Sequence, residues 1–201
     1  MDKFGIHSIR DKIFSTAVQL FSDYGFYNVS IRQISKKVGI TVATVYYYFA
    51  SKDDLLQEMY SFYRENMNNA MPDINRLLKL AETESPFEVL RGVDFHYAPE
   101  IQELMDRILI IGAMEARGDR RSAIFIYEAM FELPSKLTTP LLNRMIELGR
   151  IEPLDVKKIE ILLSNLSFSA ALRNHSTAPI SMEEWLGMME LVFSLIKPTG
   201  K

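Results

Sequence analysis

Residues 30 to 52 contain hydroxyl, cationic and aromatic side chains at a spacing that suits contact with DNA. Their sequence, SIRQISKKVGITVATVYYYFASK, predicts a short helix, a tight turn at Gly39 and a second short helix. In the second helix Val45 and Phe49 lie four residues apart, so they share one side and would pack on the first helix. At about 100° per residue, the opposite side is centred on Tyr47.

The outward side of the second predicted helix has what a DNA-reading helix needs. Small residues near its N-terminal end, Ala43 and Thr44, allow close approach to base edges, and tyrosine hydroxyls lie beside them. Groups that suit phosphate contacts would border the groove: Ser30, Arg32, Thr41, Tyr48 and Lys52. The alternative is that Tyr46, Tyr47 and Tyr48 are core and boundary aromatics of a helical bundle. Three adjacent helical positions point about 100° apart, so at least one of them must be exposed.

The sequence lacks the spacing that catalysis or metal binding would need. It contains no phosphate loop, no nucleophile elbow and no set of His, Asp and Glu at metal-ligand spacing. His96 and Glu100 lie four apart, but Pro99 separates them and no third ligand is evident. The absence of cysteine excludes disulfides and thiolate chemistry. We therefore expect no catalytic residue, no metal and no cofactor.

The charge is distributed unevenly along the 201 residues. The first 52 residues hold seven Lys or Arg and three acids, a net charge of +4, whereas the rest of the chain carries −7. A basic N-terminal part favours nucleic acid as a partner, although surface charge can also scatter in this way by chance. The sequence has no apolar run of membrane-spanning length and no apolar stretch near its start, so we expect a protein without a membrane partner. The absence of cysteine favours the reducing cytoplasm as its location.

Helical periodicity and punctuation extend over nearly the whole chain, which predicts an all-α fold. Ser30 and Gln33 form a capping box, Thr41 can cap the next helix, and Pro99 can open a later one. We expect residues 120 to 149 to form a helix that is interrupted around Pro134 to Pro140. The predicted helices span about 8–24, 31–38, 42–49, 52–70, 71–81, 86–96, 99–118, 120–149, 155–174 and 181–197.

The N-terminal part of the sequence resembles the TetR family of bacterial regulators. The resemblance covers roughly residues 8 to 60 and depends above all on the runs Thr44–Phe49 and Ser51–Leu56. Further positions that agree are Ala17, Phe21, Gly25, Ser30, Ile34 and Gly39. The resemblance implies a three-helix helix-turn-helix DNA-binding domain at residues 1–52 and a larger helical domain at 53–201 for ligand binding and dimerisation.

The resemblance also assigns DNA contacts to the whole second helix and its flanks. It adds Val42 to the candidate DNA-binding residues, which are Ser30, Arg32, Thr41, Val42, Ala43, Thr44, Tyr46, Tyr47, Tyr48 and Lys52. Val42 and Ala43 are apolar where many relatives present polar side chains to the bases. Hydrogen-bond readout of the bases is therefore expected to be sparse in this protein.

A ligand pocket is implied among the methionine-rich and aromatic-rich middle helices. The candidate ligand-binding residues are Met59, Phe62, Tyr63, Met67, Phe95, Met105, Met114, Tyr127 and Met130. Methionine adapts to irregular apolar ligands, but the same residues at helical spacing also suit a solid core. The resemblance, and not the composition, favours the pocket.

The last two predicted helices have apolar faces and small residues that permit close approach. If they meet a symmetry mate, they form a four-helix interface of the self-complementary kind. The candidate interface residues are Ile159, Leu163, Leu166, Ala170, Met189 and Val192. The alternative is that both helices pack only within their own domain.

The predicted function is a ligand-responsive transcriptional regulator that acts as a repressor. It would bind a palindromic double-stranded operator as a homodimer and be released by a small apolar effector. The alternatives are an all-α carrier or enzyme, or a protein-interaction scaffold, with an incidental helix-turn-helix. Salt-dependent DNA binding separates the first function from the others, because counterion release accompanies phosphate contacts.

Overall fold

The computed structural model describes residues 8–91, 97–174 and 177–196. These residues form α-helices and no β-strand, so the all-α prediction is confirmed. The helices are α1 (Ile9–Tyr24), α2 (Ile31–Val38), α3 (Val42–Tyr48), α4 (Lys52–Ala70), α5 (Ile74–Thr83), α6 (Pro86–Arg91), α7 (Pro99–Glu115), α8 (Arg120–Tyr127), α9 (Leu133–Glu147), α10 (Val156–Asn174) and α11 (Met182–Leu195). The part of the predicted sixth helix beyond Arg91 lies outside the described residues.

Two compact units divide the chain. The first combines Met1–Asn66 with Tyr97–Ile126, and the second combines Met67–His96 with Tyr127–Lys201. The first unit therefore contains α1 to α3, most of α4, and α7 with most of α8. The predicted boundary at residue 52 separates a DNA-binding domain from a ligand-binding and dimerisation domain, and it stays a prediction.

In the first unit, α7 packs against α1, and α1 also contacts α2. Its core includes fully buried Phe21, Leu55, Met59 and Ile108. Gly112 of α7 allows the close approach of α8, because a Cβ atom at this position would lie 2.6 Å from Cδ1 of Phe125. Apolar burial of this kind supplies most of the stability of a helical unit.

A stacked aromatic pair in the first unit carries a buried hydroxyl. The rings of Tyr60 and Phe125 stack with centroids 4.1 Å apart, and the Tyr60 hydroxyl lies 2.6 Å from Oγ of Ser122. Burial raises the pKa of Tyr60 to about 12, and it also raises the pKa of Tyr63. A charged phenolate is disfavoured at both positions because the surroundings cannot solvate it.

The raised pKa of Tyr60 predicts a loss of stability at alkaline pH. Below pH 10 the phenol is protonated in the folded and unfolded states, so its contribution is fully present. Between pH 10 and pH 12 mainly the unfolded state loses the proton, and the free energy of unfolding should fall by about 2 kcal/mol by pH 12. Urea unfolding of the wild type and of Tyr60→Phe from pH 8 to 12 measures this, since the variant should lose stability less steeply. Parallel curves for the two proteins would contradict the prediction.

In the second unit, α9 packs against α5 and α10, and α10 packs against α11. The core is made by Leu77, Ala81, Val89, Leu137, Leu141, Leu142, Met145, Ile151, Ile159 and Ile196. The predicted break around Pro134 to Pro140 is wrong, because α9 is continuous and includes both prolines. The irregularity lies just before it, where Glu128–Glu132 form a π-helical turn.

Hydrogen bonds from α10 explain how the chain tolerates Pro134. Proline has no N–H for the carbonyl four residues earlier, that of Met130. The Ser164 hydroxyl of α10 donates to that carbonyl instead. Thr138 and Thr139 of α9 also donate to the carboxylate of Glu160. The Ser164 hydroxyl thus supplies a donor to the Met130 carbonyl, and the two threonine contacts join α9 to α10.

Candidate nucleic-acid interface

Local hydrogen bonds define the ends of α2 and α3. Ser30 Oγ accepts from the Gln33 N–H at 3.3 Å, and Gln33 Oε1 accepts from the Ser30 N–H at 2.7 Å, which confirms the predicted capping box. Gly39 ends α2 with a φ of 81°, a left-handed conformation that glycine adopts without strain. Thr41 Oγ1 accepts from the Thr44 N–H at 3.1 Å and caps α3 as predicted.

The orientation of α3 agrees with the sequence pattern. Val45 and Phe49 are 0% and 2% exposed and face the interior. On the other side Tyr46 and Tyr47 are 51% and 82% exposed, and Ala43 is exposed as well. The helix thus presents a small residue and two tyrosines to solvent while its opposite side is buried.

The other candidate DNA-binding residues surround this face. Ser30, Arg32 and Thr41 are exposed, whereas Val42, Thr44, Tyr48 and Lys52 are half-buried. The hydroxyl oxygens of Thr41 and Thr44 lie 2.9 Å apart and share a hydrogen bond. The DNA contacts of these ten residues stay a prediction, and the structure shows which of them are accessible.

Lys52, the first residue of α4, is engaged within the protein. Its Nζ donates to the carbonyls of Phe26 at 2.9 Å and Val29 at 3.0 Å, and it lies 4.3 Å from the centroid of the Phe26 ring. Sequence reasoning assigned Lys52 only a phosphate contact. The structure adds an internal role, which is to hold the segment between α1 and α2.

Several residues that hold the DNA-facing helices have no signal in the sequence. Arg10 of α1 pairs with Glu58 of α4 at 2.7 Å, and its guanidinium lies 4.9 Å from the centroid of the Phe49 ring. Arg107 of α7 reaches the C-terminal end of α1, and Glu115 of α7 accepts from the Phe26 N–H at 2.9 Å. The partners are 39 to 89 residues apart, so neither helical period nor local motif predicts them.

The predicted ligand-binding residues are divided between the two units. Met59, Phe62, Tyr63, Met105 and Met114 belong to the first unit, and Met67, Tyr127 and Met130 belong to the second. Met114 and Tyr127 are 50% and 58% exposed, Phe62 is half-buried, and the other five are buried. Phe95 lies outside the described residues.

The described residues contain an open groove of about 420 Å³ along α5, at a different place. Its lining includes none of the predicted ligand-binding side chains and consists of Asp73, Asn75, Arg76, Lys79, Leu80 and Thr83. Ligand binding among the middle helices therefore stays a prediction.

The predicted dimer residues differ in accessibility. Ile159 and Val192 are 9% and 3% exposed and belong to the interior of the second unit, so they offer no surface to another chain. Leu163, Leu166, Ala170 and Met189 are half-buried. Among the side chains of α10 and α11 that the structure describes, the most exposed large apolar ones are others: Ile161, Leu172, Leu191 and Leu195. The assignment of the other four residues to a dimer interface therefore stays a prediction.

Across residues 8–91, 97–174 and 177–196, no three His, Asp or Glu side chains come together to hold a metal ion. Within the same ranges no helix has the length and apolar character that a membrane span requires.

Comparison with known proteins connects this geometry to bacterial regulators. Residues 13–59 match the family model described as bacterial regulatory proteins, tetR family. A probable HTH-type transcriptional regulator of Bacillus subtilis, YttP, is 36% identical over 72 residues, which are 34% of this chain and 35% of that protein. IcaR of Staphylococcus aureus, a negative transcriptional regulator of the icaADBC biofilm operon, is 26% identical over 104 residues, 51% of this chain and 52% of that one.

These matches span about a third to a half of the length of the two curated relatives. The fold likeness extends further. A TetR-family regulator from Agrobacterium tumefaciens superposes with a TM-score of 0.66 at 21% identity, covering 94% of this chain and 97% of that one. At this identity the superposition shows a shared fold, an N-terminal helix-turn-helix domain followed by a larger helical domain.

Proposed function

We propose that this chain is a transcriptional regulator of the TetR type, whose family model its residues 13–59 match, and that it represses transcription by binding a palindromic operator as a homodimer. The family consists of transcriptional regulators and not of enzymes. IcaR, which matches half of the chain, is a negative regulator, and this supports repression as the direction of control.

The exposed face of α3 is the observation that carries the proposal. Burial of Val45 and Phe49 directs Ala43 and Tyr47 to solvent, with Tyr47 82% exposed. Tyr46 and Tyr47 lie next to each other on this face, and tyrosine combines a large apolar ring with a hydroxyl, which suits a binding surface. A short helix with a small residue near its start can enter the major groove, where tyrosines reach base edges and sugar–phosphate groups.

The composition of α11 supports a second copy of the chain as the dimer partner. Val192 and Ile196 are buried in the second unit, whereas Leu191 and Leu195 are 67% and 54% exposed. Two large apolar side chains of α11 thus lie on the surface beside its buried side, and neighbouring exposed apolar groups of this kind can mark an interaction site. A twofold dimer covers such a face with its own equivalent, and it also supplies two DNA-binding domains for a palindrome.

The proposed effector is a small, mostly apolar molecule. Met59 and Tyr63 of α4 and Met105 of α7 are all buried in the first unit, and methionine repacks readily around an apolar guest. An effector lowers the affinity for the operator if it binds more tightly to a conformation of the protein that does not fit the operator. By thermodynamic linkage, operator DNA must then lower the affinity for the effector by the same factor. Titration of apolar compounds with and without DNA, followed by Trp185 fluorescence, tests this reciprocity.

The experiment for the function begins with selection of bound duplexes from a random DNA pool. Affinity for the selected duplex should fall as salt rises, with a log–log slope of about −0.9 for each phosphate contact. The recovered consensus should be palindromic. A carrier or a scaffold would recover no consensus and show no such slope, and either result would overturn the proposed function.

A further inference from the structure

The segment between α1 and α2 is held at one residue by two different helices. The Phe26 N–H donates to Oε1 of Glu115, at the C-terminal end of α7, over 2.9 Å. The Phe26 carbonyl accepts from Nζ of Lys52, at the N-terminal end of α4, also over 2.9 Å. The Phe26 side chain is only 2% exposed, so it has little freedom to move between these contacts.

The segment between α1 and α2 leads directly into the two DNA-facing helices, α2 and α3. Val29 is also 2% exposed, and its carbonyl accepts from Lys52 at 3.0 Å. The next residue, Ser30, caps α2, which in turn packs against α3. A displacement of the segment at Phe26 therefore changes the direction in which α2 and α3 leave it.

Arg107 strengthens the attachment of α7 to the same region. Its guanidinium donates to the hydroxyl of Ser22 at 2.9 Å and to the carboxylate of Asp23 at 3.2 Å, both in the last turn of α1. Arg107 and Glu115 lie eight residues apart, about two turns of α7. Through Arg107 and Glu115, α7 thus forms hydrogen bonds both with the end of α1 and with the segment that follows it.

Because Glu115 is negatively charged, the direction in which its removal changes the affinity for DNA tests its role. A carboxylate in a DNA-binding unit repels phosphate, so electrostatics alone predicts that its removal raises affinity for DNA. If Glu115 instead orients the helices that meet the DNA, its removal lowers affinity for the operator. The two explanations predict opposite changes.

We propose that Glu115, together with Lys52, is a positioning residue that sets how α3, the recognition helix of each protomer, is directed toward its half-site, without contact between Glu115 and DNA. The inference rests on the proposed function and deepens it. Only one separation and angle of two recognition helices fits both halves of a palindrome. Loss of the Phe26 contact should therefore weaken binding to the full palindrome while binding of one recognition helix to a half-site stays the same.

The test compares Glu115→Ala, Glu115→Gln and the control Glu65→Ala on three duplexes: the palindrome selected from the random pool, one half of it, and an unrelated sequence. Glu65 is exposed on α4 in the same unit, so its replacement removes an equal charge from a surface position. Glu115→Ala should bind the palindrome about 10-fold more weakly, because it loses a charge-assisted hydrogen bond. Glu115→Gln retains an acceptor oxygen and should recover most of the affinity, and Glu65→Ala should lose none.

Amide hydrogen exchange checks the contact itself. The Phe26 amide should exchange faster in Glu115→Ala than in the wild type, and Glu115→Gln and Glu65→Ala should leave it protected. Thermal unfolding of each variant shows whether it is folded. If Glu115→Ala fails to fold, Lys52→Met tests the second contact of Phe26, the one at its carbonyl. We expect this variant to bind the palindrome more weakly with an unchanged salt slope. If Lys52 instead contacts a phosphate, its loss would also weaken half-site binding and reduce the salt slope by about one.

The outcomes separate the two proposals. Wild-type protein that binds no duplex in a salt-dependent way overturns the proposed function, and the positioning role falls with it. Wild-type binding combined with equal or tighter binding of Glu115→Ala to the palindrome overturns the positioning role alone. Equal losses on the palindrome and the half-site also overturn it, because they would mean that Glu115 shapes the recognition helix itself.

Discussion

Replacing Leu191 and Leu195 with glutamate is expected to convert the dimer into a folded monomer and to lower affinity for the full palindrome by about 100-fold or more, because the second half-site no longer adds its contacts. Both side chains are largely exposed in the single chain, so the change removes no core packing. In a dimer the glutamates would face each other across the twofold axis and lose their hydration. Sedimentation measures the oligomeric state, and fluorescence anisotropy measures the affinity.

A matched control uses an exposed apolar residue of the first unit. Ile124 of α8 is 47% exposed, and Ile124→Glu should leave the protein dimeric. The double variant should also bind a half-site duplex as tightly as the wild type. A Leu191→Glu/Leu195→Glu protein that sediments as a dimer would place the interface elsewhere.

Replacing Tyr47 with alanine is expected to weaken binding to the selected palindrome by about 30-fold or more and to change the sequence preference, because a base-edge contact contributes roughly 1–3 kcal/mol and the palindrome has two half-sites. Tyr47 is the most exposed aromatic of α3, and its ring meets that of Tyr48 edge-on at 5.0 Å. Since tyrosine is uncharged, the salt slope should stay the same. A repeated selection from the random pool measures the preference.

Tyr127→Ala provides the corresponding control. This tyrosine is 58% exposed and belongs to the second unit, so its removal should leave DNA affinity and preference unchanged in the absence of an effector. Unaltered binding by Tyr47→Ala would show that another face of the domain meets the DNA.

The sequence alone determined the features that depend on neighbouring residues. The caps at Ser30 and Thr41 follow from side chains that bond to N–H groups three residues away. The outward direction of Tyr47 follows from the positions of Val45 and Phe49 in the helical repeat. Such relations extend over less than two turns of helix, so a single sequence contains them in full.

Tertiary structure decided the features that depend on which distant residues meet. Glu115 and Phe26 are 89 residues apart, and nothing near either one indicates the other. The apolar residues of α11 do not indicate which side of the helix packs inside the unit and which side stays exposed. The sequence suggested Val192 for the dimer interface, whereas packing buries Val192 and leaves Leu191 exposed. Continuity through Pro134 likewise depends on Ser164 from another helix. A periodic pattern states that a face is apolar, but only the packing of the other helices decides what covers that face.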